Sequence, residues 1–123
     1  MLYNSNQKKS FFIIICSIFY YNDMEDREKV ILRNFSRDLE GVEELAFACD
    51  FVKEDILSAF ERAKKEVEIL LNEESTSVKL QILSMVWNTT KDKGYMTTIE
   101  AKLLLELAHS WQVESELISL VKG

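Results

Sequence analysis

The residues in this chain able to do chemistry are few, and their spacing argues against most reactions. Gly94, Met96 and Glu100 hold the glycine, aliphatic and closing-glutamate positions of a calcium-binding loop. The other ligand positions fall on Thr89, Lys91 and Lys93, where calcium needs Asp or Asn oxygens, and two ammonium groups stand where the cation would sit. The segment from Thr89 to Gly94 reads instead as a polar turn. His109 is the only histidine; it shares a helical stretch with Leu107 and Trp111 and has no motif-marked nucleophile beside it. It reads as a surface or partly buried side chain, not a catalytic base. Cys16 and Cys49 both lie in apolar runs, and no Cys-x-x-Cys spacing occurs. A zinc cluster and a disulfide framework are therefore excluded, and reduced cysteines of this kind act as small hydrophobes in a reducing, cytoplasmic setting. Glu43-Glu44 and Glu73-Glu74 are acid pairs without the environment of a paired general acid and base. There is no nucleophile elbow, glycine-rich phosphate loop or His-Glu-x-x-His pattern. The chain is expected to be no enzyme and to carry no cofactor.

The elements that must position these residues are helical. Apolar residues make up 47% of the 123 positions, charged ones 29%, and there are three glycines and no proline. That balance folds, and an all-β chain would spend far more glycine and proline on its turns. The expectation is an all-α single compact domain of about six or seven helices, with residues 1–9 as a tail and residues 10–123 as the domain.

The segment Ser10–Tyr21 imitates a signal peptide, with Lys8-Lys9 before a short apolar run. It falls short of the roughly 20 apolar residues that span a bilayer, and Asn22-Asp23-Met24-Glu25-Asp26 follows it instead of a small-residue cleavage site. It reads as a buried core helix; a signal or anchor segment and a buried strand are the alternatives.

Asp23 can cap a helix from Met24 to Leu39, on which Ile31, Phe35 and Leu39 recur, flanked by Val30 and Leu32. Gly41 interrupts, and Val42–Phe51 follows as a short helix. A longer one starts at Lys53, with Ile56, Phe60, Ala63, Val67 and Leu70 on one face. The loop 72–77 leads to a helix over Ser77–Asn88 carrying Leu80, Leu83, Val86 and Trp87. Thr97 and Glu100 make a capping box for the next helix, which carries Ile99, Leu103, Leu107 and Trp111 with Leu104 and Ala108. A last helix covers Glu114–Val121. Ile14, Ile18, Phe35, Phe60, Leu83, Leu103 and Leu107 are the expected core, and Trp87 and Trp111 close it.

The formal charge of −6 repels polyanions, so nucleic acid is not expected as a partner. The interleaved charges between Asp23 and Glu61 read as a solvated helix surface, with a docking face for a basic partner or for divalent cations as the alternative.

The chain also echoes itself. Met24–Glu28 matches Met96–Glu100, each an apolar residue followed by a glutamate at a helix start. Glu44-Leu45-Ala46, with Val52 and Ile56, matches Glu106-Leu107-Ala108, with Val113 and Leu117. Pseudo-repeats of about 10–71 and 77–123 follow, the first with the longer middle and a closing helix that grows to Leu71.

This pattern resembles the TerB-like domains, named for a bacterial tellurite-resistance protein. Those are helical duplications whose repeats share an apolar helix, a turn Asp-Gly-x-Ile-x-x-x-Glu, a helix ending in Leu-Ala and a short closing helix. The second copy matches as Lys93-Gly94-Tyr95-Met96-Thr97-Thr98-Ile99-Glu100, the first as Tyr21-Asn22-Asp23-Met24-Glu25-Asp26-Arg27-Glu28. The family's aspartate is Lys93 here and Tyr21 in the first copy, whose glycine is Asn22. Of the acids linked to metal binding in the family, Glu28 and Glu100 remain on the motif, with Asp23 and Asp92 nearby. The resemblance implies a non-enzymatic cytoplasmic module in stress response that binds a protein partner, reaching a membrane surface through that partner. A small acidic inhibitor or immunity protein of a mobile element, acting by protein–protein binding, is the alternative.

Overall fold

The computed structural model describes residues 3–21, 24–92 and 98–122. Asp23 and the turn 93–97, with its Thr97 cap, lie outside them. The described residues form seven α-helices and no strand: α1 Ser5–Tyr21, α2 Asp26–Asp38, α3 Val42–Lys53, a 3-10 turn Ile56–Ser58, α4 Ala59–Leu70, α5 Thr76–Asp92, α6 Thr98–Ser110 and α7 Glu114–Lys122. Their contacts group into two compact units, Met1–Asn72 and Glu73–Gly123.

α1 begins at Ser5, well inside the expected tail. The reason is a capping box: the Gln7 amide donates to Asn4 Oδ1 and the Asn4 amide to Gln7 Oε1, both 2.8 Å. This satisfies two amides that a helix start leaves over. Every residue from Phe11 to Ile15, and Cys16, Ile18 and Phe19, is fully buried. From Phe11 to Phe19 the helix carries apolar or small side chains on every face, as burial all round requires. Its hydroxyls turn back on the helix, Ser10 to Asn6 O and Ser17 to Ile13 O, so they enter the interior with their donors used.

In the first unit α1 packs on α3 and α4. α2 starts two residues later than the expected Met24: Glu25 is its N-cap and Glu28 completes a capping box, with the Glu25 amide 2.9 Å from Glu28 Oε1. Its buried line is Glu28, Leu32 and Ser36, while Val30 is exposed and Ile31, Phe35 and Leu39 are half-buried. Phe35 reaches the core only through its ring, 5.3 Å from that of Phe11. Phe60, also expected in the core, is half-buried and stacks on Tyr21 at 5.0 Å.

The helix expected from Lys53 is broken. α3 runs on to Lys53, a 3-10 turn intervenes, and Ile56 is exposed there; α4 then buries Ala59, Ala63 and Val67. Arg62 holds the break. Its guanidinium donates to Phe51 O at 2.7 Å, Asp55 O at 2.6 Å and Ser58 Oγ at 2.8 Å. A cation at a helix C-terminus satisfies carbonyls the helix cannot.

In the second unit α5 continues to Asp92, through the polar turn expected at Thr89–Gly94. Thr89 and Thr90 are buried, and their hydroxyls donate to Met85 O and Trp87 O. Side chains that bond to the preceding turn need no loop to satisfy them. α5 packs on α6 and α7. Leu83, Leu103, Leu104, Leu107 and Ala108 are buried, while Trp87 and Trp111 are half-buried.

The two units repeat one plan. α1 and α5 both have 17 residues, α2 and α6 both have 13. One constant step along the chain carries Ser17 to Thr89, Glu28 to Glu100, Leu32 to Leu104 and Ser36 to Ala108, each pair buried. The same step carries one helix end to the other. Glu40 N–H donates to Arg37 O and Gly41 N–H to Ser36 O; Gln112 N–H donates to His109 O and Val113 N–H to Ala108 O. Both are Schellman ends, and Gly41 O and Val113 O then accept the amides of Leu45 and Leu117 to start the next helix. This corrects the later part of the sequence alignment. Leu45 corresponds to Leu117, so Glu44-Leu45-Ala46 belongs to the closing helix α3 and does not match Glu106-Leu107-Ala108 of α6. The 3-10 turn and α4 follow α3 as separate elements, not as a lengthened closing helix.

Candidate functional site

The four acids singled out as metal candidates fare differently. Asp23 and the side chain of Asp92 lie outside the described residues. Glu28 and Glu100 each occupy the third position of a 13-residue helix, 4% and 1% exposed. Glu28 sits in the first unit and serves its helix start, and Glu100 sits in the second. Among the described residues no group of three or more His, Cys, Asp or Glu side chains is arranged to hold a metal ion. His109 is on the surface, its side chain 83% exposed, with Nδ1 3.5 Å from Glu114 Oε2.

The structure assembles a different set of reactive groups, in the first unit. Cys16 and Tyr20 stand one turn apart on α1, and Cys49 and Lys53 one turn apart on α3, the spacing that puts side chains on one helix face. The packing of α1 on α3 brings these two pairs together. Cys16 is fully buried, Cys49 is half-buried, and both are free thiols. Ser5 bonded to Glu44, Lys9 over the Phe47 ring and Lys53 over the Tyr20 ring run the two helices side by side in the same sense, which sets Cys16 level with Cys49. The Lys53 ammonium lies 5.6 Å from the Tyr20 ring centroid, close enough for a cation–π contact.

Electrostatics divides the two sulfurs. The Cys16 hydrogen bond, with help from Tyr20 and the positive charge of Lys53, brings the Cys49 thiol down to about 6, against the opposing effects of its burial and of Asp50. Cys16 goes the other way: its hydrogen bond to Cys49, then burial and the charge on Cys49, hold its proton well above the ordinary thiol range. Burial first, and then the charge on Cys49, push the Tyr20 hydroxyl up as well. The environment thus favours ionisation at Cys49 and holds the protons on Cys16 and Tyr20.

No family model, curated protein or solved structure matches this chain.

Reading the two cysteines separately, each in its own apolar run, missed this cluster. The signal was present in sequence as two pairs at helical spacing, Cys16/Tyr20 and Cys49/Lys53, but only the α1–α3 contact shows that they face each other. The exposed apolar residues were equally hidden. Leu57 is 92% exposed on the 3-10 turn, Ile56 is exposed beside it, and Ile69 is exposed on α4 next to a shallow cleft lined by Lys65, Glu68 and Asn72. No described helix is long and apolar enough to cross a membrane.

Proposed function

We propose that this chain is a non-enzymatic binding module, the role its resemblance to the TerB-like domains implies, acting in a stress response by holding a protein partner. The observation that carries the reading is Leu57. Folding removes large aliphatic side chains from water because each is worth roughly 1.5–3 kcal/mol when buried, yet this one stands almost wholly in solvent. It lies in the segment formed by the 3-10 turn and α4, and Ile56 and Ile69 are exposed on the same segment. A segment that presents three large aliphatic side chains to solvent supplies a contact surface beyond the needs of the core. Arg62 fixes that segment through three carbonyl and hydroxyl contacts, so the surface is held in one shape before a partner arrives.

The test is affinity capture from the native host with the wild-type chain and with a Leu57→Ser/Ile69→Ser variant, followed by direct titration of the captured protein. The reading expects one specific partner whose affinity falls at least about tenfold, or roughly 1.4 kcal/mol, in the variant. Equal binding by a variant with an unchanged circular dichroism spectrum would place the contact elsewhere. Catalytic turnover of a small-molecule substrate by the purified chain, with no peroxide or thiol reductant added, would overturn the non-enzymatic reading.

A further inference from the structure

We propose that Cys49 and Cys16 form an oxidisable dithiol that reacts with hydroperoxides, Cys49 first and Cys16 second, closing a disulfide that ties α3 to α1. The geometry sets the order. A hydroperoxide coming from solvent can reach the half-buried Cys49, whereas Cys16 is fully buried behind it. Contacts between α1 and α3 on either side of them, Lys9 over the Phe47 ring and Lys53 over the Tyr20 ring, set the two cysteines facing each other, so the second thiol waits within reach of whatever forms on the first. A structural cysteine in an apolar core needs none of this: it has no reason to sit against a second sulfur, a hydroxyl and an ammonium at once.

The chemistry balances in two steps. The Cys49 sulfur attacks the hydroperoxide; an S–O bond forms, the O–O bond breaks, and the alkoxide leaves and takes a proton to become an alcohol, or water when the oxidant is hydrogen peroxide. Cys49 is then a sulfenic acid, oxidised by two electrons that have passed to the peroxide. In the second step the Cys16 sulfur attacks that of Cys49. The S–S bond forms, the S–O bond breaks, and the departing hydroxide leaves as water with the Cys16 proton. Two thiols and one hydroperoxide give one disulfide, one alcohol and one water. A dithiol reductant reverses the change by exchange through a mixed disulfide at Cys49, the accessible sulfur.

Tyr20 and Lys53 are positioning residues. The Tyr20 hydroxyl donates to the Cys49 sulfur, and the Lys53 ammonium, held over the Tyr20 ring, supplies positive charge beside the reacting sulfur. Both favour its ionised form, the one that attacks.

The full wild-type chain treated with one equivalent of hydrogen peroxide gives the decisive result without any substitution. Peptide mapping under non-reducing conditions should show a Cys16–Cys49 linked peptide within one chain and a mass lower by two hydrogens, both reversed by a dithiol reductant. In Cys16→Ser, a sulfenic-acid trap should label Cys49 instead. In Cys49→Ser, peroxide consumption should fall at least about tenfold, because the remaining thiol is buried and protonated. The pH midpoint for alkylation of Cys49 should lie near 6 in the wild type and rise in Tyr20→Phe and Lys53→Met, with Lys53→Arg restoring it; a merely structural role would leave the midpoint in place. Two thiols still free after excess peroxide, oxidation of Cys49 to the sulfinic acid with Cys16 untouched, or disulfides only between chains would each overturn the proposal.

Discussion

Glu40 and Gln112 share one backbone conformation, with φ of 54° and 60°, at the matching position of two helix ends. Each is the residue after the cap in a Schellman turn, where the left-handed conformation lets the next two amides reach back into the helix. For a residue with a Cβ this conformation costs roughly 1–2 kcal/mol, and glycine avoids that at a loss of about 0.5–1 kcal/mol of chain entropy. Glu40→Gly and Gln112→Gly should therefore each leave stability unchanged or raise it by up to about 1 kcal/mol. Their sum should be additive, since the two turns share no bond. Urea denaturation of both single variants and the double variant checks it; a loss above about 1 kcal/mol from either change would refute the account.

Gly41, next in the chain, is glycine for a different reason. Its φ of −123° is open to any residue, but a Cβ there would lie 2.9 Å from Phe12 Cε2. The Phe12 ring is fully buried and packs edge-on against Phe11 at 5.1 Å, so it cannot yield easily. Gly41→Ala should cost about 1–3 kcal/mol, the usual range for forcing atoms into a packed core. The constant step that leads from Gly41 to Val113 also leads from Phe12 to Ser84, so in the second unit the bulk sits on the turn instead of on the first helix. Val113→Gly should accordingly destabilise, opposite in sense to a removal of strain. Thermal melts of the two variants measure both effects, and a stabilised Gly41→Ala would show that the close approach is not a constraint.

Helix content was legible in this chain because it lies in local patterns. Apolar residues at three- and four-residue spacing placed seven helices, though α1 starts five residues before the expected Ser10 and α4 six residues after the expected Lys53. What stayed hidden depended on contacts between elements, or on polar side chains acting on their own backbone. The Thr89–Thr90 pair looks like turn chemistry, yet both hydroxyls bond inside α5 and the helix runs through them. Lys53 looks like the start of a helix, but Arg62, later in the chain, decides where α3 ends. The thiol cluster stayed hidden because its two halves lie far apart in sequence and meet only through packing.

The opposed shifts of the two cysteines give stability a pH signature. Cys49 has a folded-state pKa lowered to about 6, below the ordinary thiol range that the unfolded chain keeps. Its contribution is fully present above the unfolded value and is lost as pH falls through about 6. Cys16 and Tyr20, whose folded values are raised, act in reverse: their contributions hold below their unfolded values and fade at higher pH. Between pH 6 and 9 the Cys49 effect governs this cluster, so stability attributable to it should rise with pH. The charged groups facing the cluster are Lys53, which favours ionised Cys49, and Asp50, which opposes it. The readout is the difference in unfolding free energy between the wild type and Cys49→Ser across that range, with a reductant present throughout. A difference that is flat, or that shrinks as pH rises, would contradict the assignment of the thiolate to Cys49.

The last expectation concerns α1, whose sequence imitates a leader or anchor but whose side chains fill the interior. Phe11, Phe12, Ile13, Ile14, Ile15, Ile18 and Phe19 are all fully buried, and each burial of this kind is worth roughly 1.5–3 kcal/mol. Together they match or exceed the net stability of a typical domain, about 5–15 kcal/mol. α1 is also the element on which α3 and α4 pack, and it carries one half of the thiol cluster. A chain shortened to begin at Asn22 should lose the first unit's core and fail to fold cooperatively. The single change Ile14→Ala offers a milder measure and should cost about 2–5 kcal/mol, the range for emptying an aliphatic core site. Circular dichroism melts and sedimentation of the full and shortened chains separate the two accounts. A shortened chain that is monomeric and melts cooperatively near the parent temperature would mean that the segment is dispensable to the fold, and its burial would then need another cause.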